Sequence, residues 1–379
     1  MKYFLVAGEA SGDLHGSNLM RELRLLDPQA EFRFFGGDKM AAVGGTLLKH
    51  YREMAFMGIV AVVSNARTLL KNLAYCKKEI ANWKPDILIL IDYADFNLKV
   101  AAFVKENLPS LPVHFYISPK IWAWKEYRIK AFKKYIDKMY VILPFETAFF
   151  SKHDFPVTYV GNPSVDSVEA YFQKPFDEKA FRKKNGLDKR PILTLLPGSR
   201  KSEIHGNLPL MLEVASQYPA FQVVVAGAPG QTPTYYEPYL VNGEKLIFGE
   251  TYSLLRIAHT AIVTSGTATL ETALIGTPQV VTFAVGGGNL PNWIFRHFMH
   301  VPYFSLVNLI AGKIVVNELM GGLLNKANLT AALEPLLSDT PERQAVLDGY
   351  TEIRIFLGKP GAARQTAYLM HQNLTNKNE

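Results

Sequence analysis

The chain has 379 residues, 48% hydrophobic, 12% aromatic and 20% charged, with a formal net charge of +7. That length points to two domains, and the composition excludes a disordered or collagenous chain except over the last residues, Thr375–Glu379. The single cysteine, Cys76, excludes a disulfide framework or a thiolate metal cluster, and the positive charge asks for an anionic partner.

Tyr3–Ala7 is a short apolar run closed by Gly8-Glu9, which predicts a buried first strand rather than a signal sequence. Further strands are predicted at Glu31–Phe35, Asp86–Ile91, Val113–Ile117, Met139–Ile142 and Val157–Val160. Helical patterns separate them at Leu14–Leu26, about Arg67–Trp83, Leu98–Glu106, Glu126–Tyr135 and Phe145–His153. Apolar strands alternating with helices imply a parallel sheet covered on both faces.

After Val160 the pattern breaks, and residues 164–190 are expected to be a linker. A second series follows, with strands at Ile192–Leu196, Gln222–Ala226, Leu246–Phe248, Ala261–Thr264 and Gln279–Phe283. Its helices are expected at Leu208–Gln217, Tyr252–His259 and Thr267–Ile275. The predicted fold is α/β: two facing doubly wound, Rossmann-like domains, residues 1–163 and 191–345, with a helical C-terminal tail over 346–379. Ligands of such sheets bind at the carboxyl ends of the strands. No apolar run reaches the roughly 18 residues of a membrane span, so a cytoplasmic chain is expected.

Basic residues gather in Lys120–Lys138, among them Lys125, Arg128, Lys130, Lys133 and Lys134. A solvated helix face explains them. No nucleic-acid-binding motif accompanies them, which argues against nucleic acid.

Four constellations carry possible chemistry. In Gly8–Asp13 (GEASGD), small residues open a helix, so backbone amides and Ser11 can approach a ligand. The carboxylates of Glu9 and Asp13 make it a poor diphosphate cradle, and it is not the dinucleotide signature, so no cofactor is expected. Either Asp13 caps its own helix, or these carboxylates line an acceptor-sugar pocket. Asp92 and Asp95 in DYADFN stand at a strand's carboxyl end; one can act as base to a sugar hydroxyl, or Asp95 can cap the next helix. Their spacing is not the DxD of a metal-bound sugar diphosphate, so no metal is expected. Pro197–Ser202 joins a tight turn to Ser199, Arg200 and Lys201; the Arg fork matches phosphate oxygens. Ser265, Gly266 and Thr267 open a helix whose amides and dipole suit an anion, with Glu271 one turn on in reach of ribose hydroxyls. A capped helix with a surface glutamate is the plainer reading. Asn308, polar within an apolar run, reads by default as a buried and satisfied side chain.

Taken in order, the motifs carry a resemblance. They are AGEASGDLHG (7–16), FGG (35–37) with Gly44, MGIV (57–60), DYADFN (92–97) and SPKIWAWK (118–125), then LPFE (143–146), VGNP (160–163), LLPGSR (195–200) with Glu203, SGTATLE (265–271) and NLIAG (308–312). From residue 3 to about 320 the chain closely resembles the lipid-A-disaccharide synthases, glycosyltransferase family 19. The resemblance implies the two-domain, B-type glycosyltransferase fold and an inverting transfer without cofactor. The implied donor is UDP-2,3-diacylglucosamine and the acceptor the 6-hydroxyl of 2,3-diacylglucosamine 1-phosphate. Asp95 would be the catalytic base and Arg200 the essential arginine; Ser199, Ser265, Gly266, Thr267 and Glu271 would line the UDP site, and Asn308 matches the family's asparagine and would bind substrate. Family members are peripheral on the inner face of the cytoplasmic membrane and can form a homodimer by exchanging C-terminal segments, so an acidic membrane surface is an expected partner. The apolar stretch Met54–Val63 is the expected docking segment, although a helical core explains it as well. The chain departs from the pattern at Asn162, often His in the family, and at Phe283-Ala284-Val285 with glycines 286–288, so no donor arginine is expected there. Rival readings are an enzyme like the non-hydrolysing UDP-N-acetylglucosamine epimerases, which share the fold, and a non-catalytic nucleotide-sugar-binding protein.

Overall fold

The apolar runs of the first half become strands because helices cover them on both faces. The computed structural model describes residues 1–54, 66–124, 126–284 and 302–376. MGIV and the rest of Met54–Val63 beyond Met54, together with Lys125, Val285 and the glycines 286–288, lie outside the described residues. The chain divides into one unit of Met1–Pro163 with Lys359–Glu379 and a second of Ser164–Gly358.

The first unit holds a seven-stranded parallel sheet: β1 (Lys2–Ala7), β2 (Glu31–Gly36), β3 (Thr46–His50), β4 (Ile87–Ile91), β5 (Val113–Tyr116), β6 (Lys138–Val141) and β7 (Thr158–Tyr159). Their order across the sheet is β3-β2-β1-β4-β5-β6-β7. Helices α1 (Ala10–Leu26), α2 (Asp38–Val43), α3 (Ala66–Trp83), α4 (Ala94–Asn107), α5 (Ile121–Trp124), α6 (Ile129–Tyr135) and α7 (Pro144–Ser151) lie between them. Alternate residues of β1 and β4 enter two cores. Phe4, Val6, Leu88 and Leu90 pack with Cys76, Ile80, Val100 and Val104; Tyr3, Leu5, Ile87 and Ile89 pack with Leu19, Leu23, Met370 and Leu374. Cys76 is thus a small core residue, its thiol pKa driven up by burial.

The second unit repeats the plan with β8 (Ile192–Leu196), β9 (Gln222–Gly227), β10 (Lys245–Phe248), β11 (Ala258–Thr264), β12 (Gln279–Phe283) and β13 (Glu318–Met320), ordered β10-β9-β8-β11-β12-β13 and all parallel. Residues 164–190 are folded rather than a plain linker. They carry α8 (Pro163–Phe172) and α9 (Glu178–Lys184), and Phe181 enters the second unit's core. The signal was present: Asp177 caps α9 by accepting the Ala180 amide at 3.1 Å. Arg256 then stacks on Tyr171, Phe172 and Phe176.

The remaining helices are α10 (Lys201–Ala215), α11 (Pro233–Tyr236), α12 (Thr251–Ile257), α13 (Thr267–Ile275), α14 (Leu306–Ala311), α15 (Lys326–Leu333), α16 (Pro341–Leu357) and α17 (Ala362–Thr375). The expected start of the tail at residue 346 falls inside α16, which belongs to the second unit, while α17 packs on α1 in the first. There Asn373 donates to the Tyr140 hydroxyl at 3.3 Å. No helix among the described residues is long and apolar enough to cross a membrane.

Candidate functional site

In each sheet one point has its strands leaving in opposite senses, so the loops after two adjacent strands diverge and open a crevice. In the first unit this lies between β1 and β4, since β1 pairs with β2 on one side and β4 on the other. The loops there are Gly8-Glu9 and Asp92–Asp95. A cavity of about 470 Å³ is lined by Glu9, Asp92 and Asp95 together with Met54, Leu69, Leu73 and Phe96. Carboxylates and apolar side chains therefore share one pocket.

The backbone at this point is strained. Asp92 and Tyr93 are both left-handed, with φ of 46° and 48°, each costing about 1–2 kcal/mol for an L-residue. Asn97 holds the turn by donating to the carbonyls of Ile91 (3.3 Å) and Asp92 (2.7 Å), and the Asp92 amide donates to the Tyr116 carbonyl at 3.1 Å. Gly8 is required for the same reason: a Cβ there would come within 2.3 Å of the Tyr93 ring.

The two aspartates differ in environment. Burial, and then the negative charge of Glu9, push Asp92 up to about 6, against the opposing pull of the Tyr93 amide and of Lys120. Asp95 is 79% exposed in the first turn of α4 and ion-paired with Arg128, itself only 12% exposed. It does not cap that helix, whose N-cap is Tyr93 with no side-chain cap bond. A base is most effective near the working pH, so the environment favours Asp92, whose neighbour carries the resemblance. Beside them Glu146, of the LPFE motif, is fully buried and accepts from the Leu143 amide (3.0 Å) and the Trp122 indole (3.1 Å). Burial pushes it up to about 8, and the charge of Asp92 adds to that. The SPKIWAWK and LPFE motifs thus meet at one buried carboxyl.

Of the first-loop candidates, Glu9 lines the cavity and Ser11 is exposed outside that lining. Asp13 neither caps its own helix, whose N-cap is Glu9, nor enters the cavity lining. Its buried carboxylate accepts the amides of Gly37 (2.8 Å), Lys39 (3.0 Å) and Met40 (3.0 Å), closing the start of α2. Asp13→Ala is expected to cost roughly 2–4 kcal/mol by stranding those amides, read as a lower urea midpoint.

In the second unit the crevice lies between β8 and β11, where the loops carry Pro197–Arg200 and Ser265–Thr267. The two helix starts are unlike. At α10, Glu203 accepts the Ser199 amide (2.9 Å), the Ser199 hydroxyl (3.3 Å) and the Arg200 amide (3.2 Å), so a carboxylate of the chain already fills that anion position. Gly198, at φ 113°, admits it, since a Cβ would lie 2.6 Å from that of Glu203. The Arg200 side chain is left 59% exposed, 3.6 Å from Glu203. At α13 the N-cap is Gly266 and among the described residues no side chain caps the helix; a Cβ on Gly266 would meet none of them within 4 Å. The first amides of this helix carry the positive end of its dipole, which suits an anion. The Ser265 hydroxyl donates to the Phe304 carbonyl at 3.3 Å.

Glu271 accepts from the Tyr252 hydroxyl at 2.7 Å; burial raises its pKa and that bond opposes the rise. Asn308 is committed to the fold. Its amide group donates to Val316 and Glu318, and its oxygen accepts from Val315 and Val316, all within 2.8–3.0 Å. That uses its full capacity and leaves nothing for the substrate expected there.

A family profile described as lipid-A-disaccharide synthetase matches residues 3–370. The lipid-A-disaccharide synthase of Syntrophus aciditrophicus (strain SB) is 36% identical over 373 residues, covering 96% of each chain. That of Myxococcus xanthus (strain DK1622) is 37% identical over 375 residues, covering 97% of this chain and 96% of the relative. Among solved structures, UDP-GlcNAc 2-epimerase from Neisseria meningitidis bound to UDP-GlcNAc is similar with a TM-score of 0.67 at 14% identity, covering 98% and 100%. A glycosyltransferase from Rickettsia africae ESF-5 gives 0.63 at 10% identity, covering 99% and 98%. At such identities these structures speak to the B-type glycosyltransferase fold alone.

Proposed function

The chain belongs to the lipid-A-disaccharide synthetase family, and from that premise we propose how its two units divide the chemistry. It is a glycosyltransferase of lipid A biosynthesis. The donor is UDP-2,3-diacylglucosamine and the acceptor 2,3-diacylglucosamine 1-phosphate. The first unit receives the acceptor, and a carboxylate at the end of β4 takes the proton of its 6-hydroxyl. That oxygen attacks the anomeric carbon in one displacement, inverting it, while the bond to UDP breaks and its electron pair leaves with the diphosphate. In the second unit the helix start at Gly266-Thr267 and the Arg200 guanidinium stabilise the departing charge, with Ser199 and Ser265 alongside and Glu271 on the ribose. The resemblance assigns the base to Asp95; the physical environment favours Asp92.

The observation that carries this reading is the first unit's cavity, where carboxylates at the sheet's crevice adjoin Met54, Leu69, Leu73 and Phe96. A sugar bearing acyl chains needs both kinds of surface, whereas an epimerase acting on an unacylated sugar needs no apolar wall. The test is mass spectrometry of products from synthetic donor and acceptor. A tetraacylated disaccharide 1-phosphate is expected; UDP release without it, or a manno epimer from UDP-N-acetylglucosamine alone, overturns the reading.

The same reading takes the enzyme to the inner face of the cytoplasmic membrane. Exposed Leu70, flanked on α3 by exposed Arg67 and Lys71, suits an acidic lipid surface beside the cavity. Flotation with anionic liposomes at low salt should carry the chain, and less of it as salt rises. Absence of binding at low salt overturns this part. The reading extends to a homodimer in which Ala362–Thr375 seats on α1 of a second copy; a monomeric mass by light scattering removes it.

A further inference from the structure

We propose that Tyr252 is a positioning residue that makes the donor site selective for ribose, acting through Glu271. The inference rests on the reading of Glu271 as the ribose contact. Tyr252 stands in the first turn of α12, and its hydroxyl donates to Oε1 of Glu271, one turn into α13, at 2.7 Å. Among the described residues no other side chain donates to that carboxylate, so Oε2 keeps its acceptor capacity. The phenol is itself held from the other side. Ser167 of α8 donates to the same phenol oxygen, and the Tyr171 ring meets the Tyr252 ring edge-on at 5.7 Å and 89°. Tyr171 in turn donates to Ser253 at 3.2 Å, tying α8 to α12. A chain of donors therefore runs Ser167 to Tyr252 to Glu271, and ends on a carboxylate whose remaining oxygen lies one turn beyond the uncapped start at Gly266.

Without the Tyr252 hydroxyl, Glu271 loses the bond that fixes its rotamer, and half-buried carboxylates discriminate only when held. A hydroxyl donating to an ionised, fixed carboxylate is worth about tenfold to a hundredfold in affinity. A ligand lacking that hydroxyl leaves the buried oxygen unpaired.

The experiment is calorimetric binding of UDP, 2′-deoxy-UDP and 3′-deoxy-UDP to the full chain, with steady-state kinetics on the same preparations. The wild type should prefer UDP over at least one deoxy analogue by tenfold or more. In Tyr252→Phe, which removes one oxygen and keeps the ring packing, that preference should fall to about two- to threefold. The donor KM should rise and kcat hold within about twofold. Glu271→Gln should lose the preference alone, and adding Tyr252→Phe to it should change nothing further. Retention of the wild-type preference in Tyr252→Phe overturns the proposal while leaving the ribose reading standing. A wild-type preference near one, or an unchanged preference in Glu271→Gln, overturns the ribose reading and the proposal with it.

Discussion

Replacing Asp92 by Asn is expected to lower kcat about 10²–10⁴-fold, the usual span for a general base, with UDP affinity nearly unchanged. Asn is the right probe because it tolerates the left-handed backbone that this position adopts. The pH dependence follows from the environment of the carboxyl. Burial and Glu9 hold Asp92 near 6, and a base works only when deprotonated. Activity should therefore rise with pH through about 6, an acid limb that Asp92→Asn abolishes. Asp95→Asn is the paired measurement. Asp95 is exposed and engaged by Arg128, and its loss should cost less. If Asp92→Asn turns over like wild type and Asp95→Asn collapses, the base is Asp95, as the resemblance implies.

The second large effect is expected at Arg200. Arg200→Ala should lower kcat about 10²–10³-fold, in the range of removing one donor to developing transition-state charge, with a smaller change in donor KM. Its neighbours explain why so much rests on one side chain. Glu203 fills the amides of Ser199 and Arg200, so these amides do not serve a diphosphate and the guanidinium carries the larger share. Arg200→Lys should recover little, because an ammonium lacks the planar fork. Equal turnover in Arg200→Ala, measured as UDP release with both substrates, removes it from the reaction.

The two parallel sheets were legible because strands buried on both faces read as unbroken apolar runs, as in Ile87–Ile91 and Ile192–Leu196. Two of the four edge strands were not: Thr46–His50 and Glu318–Met320 are short and partly exposed and carry Lys49, His50 and Glu318. Helix α10 begins directly after Arg200 although the pattern suggested Leu208, since Gly206 and Pro209 break the helical signal. Site roles set by distant partners stayed hidden. Asp13 meets amides 24–27 positions away, and Arg128 meets Asp95 across 33. Nothing in DYADFN says which aspartate is buried. The motif order pointed to the family where the fold could not, because the epimerases share the architecture at 14% identity or less.

The return of α17 to the first unit has a consequence for synthesis. Ala367, Met370 and Leu374 complete the core around Tyr3, Leu5 and Leu19, yet they are translated only after the whole second unit. The whole second unit, Ser164–Gly358, is in effect an insertion within the first. The N-terminal unit must wait, with one apolar face of α1 uncovered, while some 200 residues are translated, about 10–40 seconds at ordinary elongation rates. The second unit, continuous in the chain, can close before it. The unit begun first is therefore completed after the second unit has been translated, by a helix that lies beyond it in the chain.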